Sequence, residues 1–133
     1  MRIVLRPESP VSLFEQIVSQ VVFAVANGDL EAGEMLPSVR DLAHKLIVNP
    51  NTVTRAYQDL ERLGIVEARR GVGMALTSDA LKLCRDRRKE LIRGTLRDAL
   101  REASTAGLDA DDVHKIVDQE WPKLQSKLNG TTH

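Results

Sequence analysis

The sequence predicts a mostly α-helical protein with one small β hairpin. Three observations carry this: aromatic residues are only 3% of the chain, so its core must be aliphatic; apolar residues recur at helical spacing in five segments; and one glycine-bearing turn separates two β-prone runs. At 133 residues, 42% apolar and 29% charged, the chain has the length of about one domain with a small appendage, and the composition of a folded polypeptide.

The opening Ile3-Val4-Leu5 is β-prone but closed off by Pro7 and Pro10, a minor strand at most. From position 10 to 27, Leu13, Ile17, Val21 and Val25 keep helical spacing; Ser9-Pro10 or the capping box Ser12-x-x-Glu15 starts this first helix and Gly28 stops it. A turn-rich stretch, 28–37, leads to Ser38-Val39-Arg40-Asp41, a second capping-box pattern opening a short helix through Leu42, Ala43 and Leu46. Asn49-Pro50 then sets an N-cap before a proline at the first helical position, where its missing N–H costs nothing. The third helix buries Val53, Ala56, Tyr57, Leu60 and Leu63 and ends at Gly64. Two short runs, 65–69 and 74–77, flank Arg70-Gly71-Val72-Gly73 as a hairpin.

A second region begins near Ser78, so the expected division is 1–77 and 78–133. Between Lys82 and Arg101 eight basic side chains face three acidic ones, while the last 32 residues hold three basic and six acidic. The basic segment reads as a long helix ending at Gly107. Asp109 to Asp112 cap a last helix, which Pro122 should kink or interrupt, and the tail from Asn129 should fray. The apolar stripes Leu81, Leu91, Ile92, Leu96, Leu100 and Val113, Val117, Trp121, Leu124 exceed what one helical hairpin can bury. A second copy of the chain is expected to complete that core, the alternative being packing on the first domain of the same chain.

Charge and cysteine content narrow the function. Nineteen basic and nineteen acidic residues cancel, so a nucleic-acid partner must be argued locally. Cys84, the single cysteine, excludes an internal disulfide and a CxxC pair, and reads as a core residue more readily than a redox sensor. No apolar run approaches the roughly 20 residues that span a bilayer and the start is too short for a signal peptide, so a cytoplasmic protein without a membrane partner is expected. The histidines lack metal-ligand spacing with Cys84 or the carboxylates. No metal or cofactor is expected, and no nucleophile, base and orienting group converge as an enzyme would require.

Helix, short helix, helix and hairpin in about 70 residues is the order of a winged helix-turn-helix. In that arrangement the third helix presents its outward face to a DNA major groove. The buried stripe leaves Asn51, Thr52, Thr54, Arg55 and Gln58 pointing out: Asn and Gln suit adenine edges, Arg suits guanine, and Thr suits phosphate or a thymine methyl. Arg40 sits in the first turn of the second helix beside Ser38, where a guanidinium and a helix N-terminus can share a phosphate, unless Asp41 or Glu34 pairs with it. Arg69 and Arg70 put two cations at the hairpin tip. The basic run 82–101 reads as a solvated face more readily than a phosphate track. A protein-interaction adapter without specific DNA binding is the rival reading, disfavoured because such a surface would expose aromatic or apolar anchors.

The residues resemble the amino-terminal domain of GntR-type bacterial transcription regulators over about 8–77. The resemblance is carried by Phe14-Glu15-Gln16-Ile17, Leu36-Pro37-Ser38-Val39-Arg40-x-Leu42-Ala43, Asn49-Pro50-Asn51-Thr52-Val53-x-Arg55-Ala56-Tyr57 and Arg70-Gly71-x-Gly73. It implies a dimeric repressor or regulator whose third helix reads an inverted repeat in double-stranded DNA, with contacts at Ser38, Arg40, Asn51, Thr52, Arg70 and Gly71. Many members carry arginines where this chain has Pro50 and Thr54, which leaves Arg55 to take over a base contact. The Asn-Pro-Asn-Thr form and short carboxyl end are similar to the YtrA-type subfamily, whose members end in a small helical dimerisation module. Two helices cannot enclose a metabolite pocket of several hundred cubic ångströms, so an effector is not expected within one protomer.

Overall fold

A computed structural model describes residues 1–131 of the chain. The elements run α1 (Leu13–Ala26), α2 (Val39–Leu46), α3 (Pro50–Arg62), β1 (Val66–Arg69), β2 (Gly73–Leu76), α4 (Ala80–Thr105) and α5 (Ala110–Thr131). Three helices followed by an antiparallel hairpin make the winged helix-turn-helix, and two longer helices follow it.

The caps explain the boundaries. Ser12 Oγ accepts the Glu15 N–H (3.4 Å), Ser38 Oγ accepts that of Asp41 (3.0 Å) and Asn49 Oδ1 accepts that of Asn51 (2.8 Å), each satisfying a donor the helix leaves unpaired. Asp109 and Asp112 cap α5 reciprocally, each carboxylate accepting the other's N–H at 2.9 and 3.0 Å. Pro122 does not interrupt that helix as expected. It runs to Thr131, because Pro122 and Asp118, whose carbonyl loses its donor to the proline ring, are both exposed and water can take the bond. Thr132 and His133, the end of the segment expected to fray, lie outside the described residues.

Two connections differ from expectation. The stretch before α2 is not merely a turn: Gly33 N–H donates to Leu76 O, Leu76 N–H to Glu34 O and Leu36 N–H to Met74 O, each at 2.8 Å, so 33–36 lies along the free edge of β2. The amino-terminal segment forms no strand, yet its backbone is paired by side chains. Val4 donates to Gln20 Oε1 (2.8 Å) and accepts from Gln20 Nε2 (2.7 Å), while Gln16 brackets Arg6 in the same way. This holds Ile3 against the core.

That core is aliphatic, with Ile17, Val21, Val22, Val53, Leu60, Ile65 and Leu76 all within 2% of full burial. It recruits the first turns of α4 through Ala80 and Cys84. The first compact unit spans Met1–Leu91 and the second begins at Ile92. Tyr57, buried on α3, donates its hydroxyl to Pro37 O at 2.6 Å and ties the start of α2 to α3.

Burial raises the pKa of both Tyr57 and Cys84, the thiol from its ordinary 9.0 to about 11. Each is an acid kept neutral in the fold, so above its ordinary pKa the unfolded chain gives up the proton first. Stability from these groups is complete below about pH 8 and falls as pH rises through 9 toward 11. Urea midpoints at rising pH should decline over that window, less steeply in Cys84→Ala.

Ile47, the C-cap of α2, has φ 55 and ψ 54. A β-branched residue in this left-handed region is strained by about 1–2 kcal/mol, and its side chain recovers nothing by packing because it is 90% exposed. Ile47→Asn, which suits the conformation, should raise stability by about 1 kcal/mol in chemical denaturation.

Candidate nucleic-acid interface

The buried stripe Val53, Ala56, Tyr57 and Leu60 fixes the rotation of α3. Asn51, Arg55 and Gln58, at i, i+4 and i+7, share its exposed face. Thr52 and Thr54 are half-buried on the two shoulders rather than fully outward. Arg62 continues the same face one turn on, a residue the sequence reading left out.

Arg40 is exposed in the first turn of α2, and neither Asp41 nor Glu34 pairs with it. With Asn49, Pro50, His44 and Ile47 it lines an open cleft beside the start of α3. On the other flank Asn51, Thr52 and Arg55 line a second cleft with Ser12 and Phe14. The face of α3 is thus bordered by the exposed Arg40 guanidinium at one side and the amino terminus of α1 at the other. Ser38, exposed at its cap, keeps a hydroxyl hydrogen free to donate while its oxygen accepts from Asp41.

At the hairpin tip Arg69, Arg70, Gly71 and Val72 are all exposed. Gly71 has φ 75 with open space where a side chain would begin, so the turn needs glycine for its backbone and leaves that backbone uncovered.

Arg55 does not extend freely. Its guanidinium carbon lies 3.9 Å from the centroid of the Phe14 ring on α1. Phe14 was missed because no local spacing connects positions 14 and 55.

The residues assigned to dimerisation divide. Leu91 packs against the core of the first unit. Val113 is half-buried, whereas Leu81, Ile92, Leu96, Leu100, Val117, Trp121 and Leu124 are 43–60% exposed. Between positions 92 and 127 no residue is buried. Among the described residues no cluster of side chains could hold a metal ion, and no helix is long and apolar enough to cross a membrane.

Residues 13–76 match the family described as bacterial regulatory proteins, gntR family. The chain is 36% identical over 111 residues to the HTH-type transcriptional repressor YtrA of Bacillus subtilis, covering 84% of this chain and 85% of that one. Among solved structures, a GntR family transcriptional regulator from Listeria monocytogenes superposes with a TM-score of 0.69 at 34% identity, over 86% of this chain and 98% of that one. A transcriptional regulator from Oenococcus oeni gives a TM-score of 0.71 at 25% identity, over 89% and 98%.

Proposed function

The chain belongs to the gntR family of bacterial regulatory proteins, DNA-binding transcription regulators and not enzymes, and from that membership we propose a repressor that grips an inverted-repeat operator as a homodimer. One observation carries the reading: an exposed row of Asn51, Arg55 and Gln58 on α3 lies beside an Arg40 that, among the described residues, no carboxylate pairs with.

Each part has a task suited to its chemistry. Arg40 and Ser38 hold a phosphate at the start of α2, setting register without reading sequence. Asn51 addresses an adenine edge and Arg55 a guanine, with Gln58 next along the groove. Thr52 and Thr54, on the shoulders, suit the groove walls: phosphate oxygens or a thymine methyl. Arg70 and the bare backbone of Gly71 approach the flanking minor groove or sugar–phosphate chain.

What supports dimerisation is that no residue between 92 and 127 of the second unit is buried. Helical segments with no fully buried residue there have little packing to offset their ordering entropy. A second copy laid against Ile92, Leu96, Leu100, Val117, Trp121 and Leu124 supplies it, and its two-fold symmetry makes the operator palindromic. The relative named a repressor supports that sign of regulation, and the protein acts in the cytoplasm, where bacterial DNA is.

Selection of bound duplexes from a random pool tests the proposal. The expected yield is one palindromic site, its half-sites about one helical turn apart. Recovery of unrelated sequences, or of a single unrepeated half-site, would overturn it.

A further inference from the structure

Phe14 and Arg55 come from two helices that pack together, α1 and α3, and meet as a ring and a guanidinium 3.9 Å apart. A ring acts on an arginine differently from a carboxylate. It fixes the plane of the guanidinium through the cation–π attraction, yet leaves the charge uncancelled and the N–H edges free.

The acid spaced to capture Arg55 is Asp59, at i+4 on the same helix. Asp59 is already engaged: Arg62 Nε donates to its Oδ1 at 3.2 Å, and Arg62 Nη2 binds the same oxygen. Among the described residues no carboxylate pairs with Arg55. Phe14, Arg55, Gln58, Asp59 and Arg62 line one shallow cleft, so these groups lie within reach of one another.

We propose that Phe14 is a positioning residue for base recognition. It presets Arg55 for bidentate hydrogen bonding to one guanine in each half-site, while Arg62 keeps Asp59 from drawing Arg55 aside. An arginine already stacked loses less rotamer freedom on docking than one that must be ordered by the DNA, and its fork arrives in one plane. This rests on the DNA-binding reading above and adds the residue that orients its arginine.

The test is competition among all single-base variants of the selected site, measured for wild type, Arg55→Ala, Phe14→Leu, Phe14→Tyr and Arg62→Ala. Arg55→Ala should lose about tenfold discrimination at one base pair per half-site. Phe14→Leu should lose discrimination at that same pair and no other, and should add nothing when combined with Arg55→Ala. Phe14→Tyr, which keeps the ring, should retain wild-type preference. Arg62→Ala, an exposed change that leaves the core intact, should reproduce the loss by releasing Asp59, and it carries the test even if Phe14→Leu fails to fold.

Equal weakening at every base pair in Phe14→Leu would reduce Phe14 to a packing residue and overturn the proposal. So would Arg62→Ala with unchanged preference. If Arg55→Ala keeps every preference, the proposal fails while DNA binding by the rest of α3 stands. A wild-type protein that selects no sequence overturns both.

Discussion

Replacing Arg40 by alanine should weaken operator binding about a hundredfold at moderate salt, with the fold intact. The magnitude follows from one charge-assisted phosphate contact of about 1.5 kcal/mol in each of two protomers. Arg40 is exposed and makes no ion pair among the described residues, so its loss leaves no buried group unpaired and thermal unfolding should move little. Removing two phosphate contacts should also make the dependence of log K on log salt shallower by about 2. Arg40→Lys should recover part of the affinity and all of the salt slope, since charge alone sets the slope and the fork sets the geometry. Fluorescence anisotropy at four salt concentrations reads both quantities. An unchanged slope would remove Arg40 from the interface.

The second large effect is on assembly. Leu96→Asp combined with Trp121→Asp should convert the proposed dimer to a monomer and lower operator affinity by about 10² or more. Each substitution places a charge on an apolar surface that a second copy would cover, where an unpaired charge costs several kcal/mol. Leu96 and Trp121 are 59% and 60% exposed in the single chain, so the winged unit should keep its circular dichroism and melting behaviour. Sedimentation gives the mass, and a half-site duplex separates the consequences: the monomer should bind it as the dimer does and fail only on the full palindrome. A variant that remains dimeric would place the interface elsewhere.

What could be read in the sequence was local. The serine caps before α1 and α2, Asn49-Pro50 before α3, and the glycine-turned hairpin each depend on neighbours within four residues, and the structure places them where the sequence does. The outward face of α3 was legible because four buried positions leave few others. What failed was non-local. The edge pairing of 33–36 with β2 joins segments some forty residues apart, and Gln16 and Gln20 serve as backbone partners for a chain end that carries no strand signal.

The α4 stripe illustrates a different limit. Periodicity shows that Leu81, Cys84, Leu91 and Leu96 can be covered, but not by what. Cys84 and Leu91 pack with the winged core, whose compact unit runs to Leu91, while Leu96 is left exposed. Arg55 shows the same limit at the site: its outward direction was legible, its stacking on Phe14 was not. Ile47 gives no warning in the sequence, because the left-handed cap it occupies is ordinarily marked by glycine or asparagine.

In the proposed function α3 reads base edges while α2 anchors the backbone. The most direct test is the ratio of affinities for the selected operator and a scrambled duplex, at matched salt, in wild type, Asn51→Ala and Arg40→Ala. Asn51→Ala should cut that ratio at least tenfold while leaving scrambled-duplex binding unchanged, and Arg40→Ala should lower both affinities together and preserve the ratio. An Asn51→Ala protein that keeps the full ratio would contradict the assignment of α3 as the reading helix.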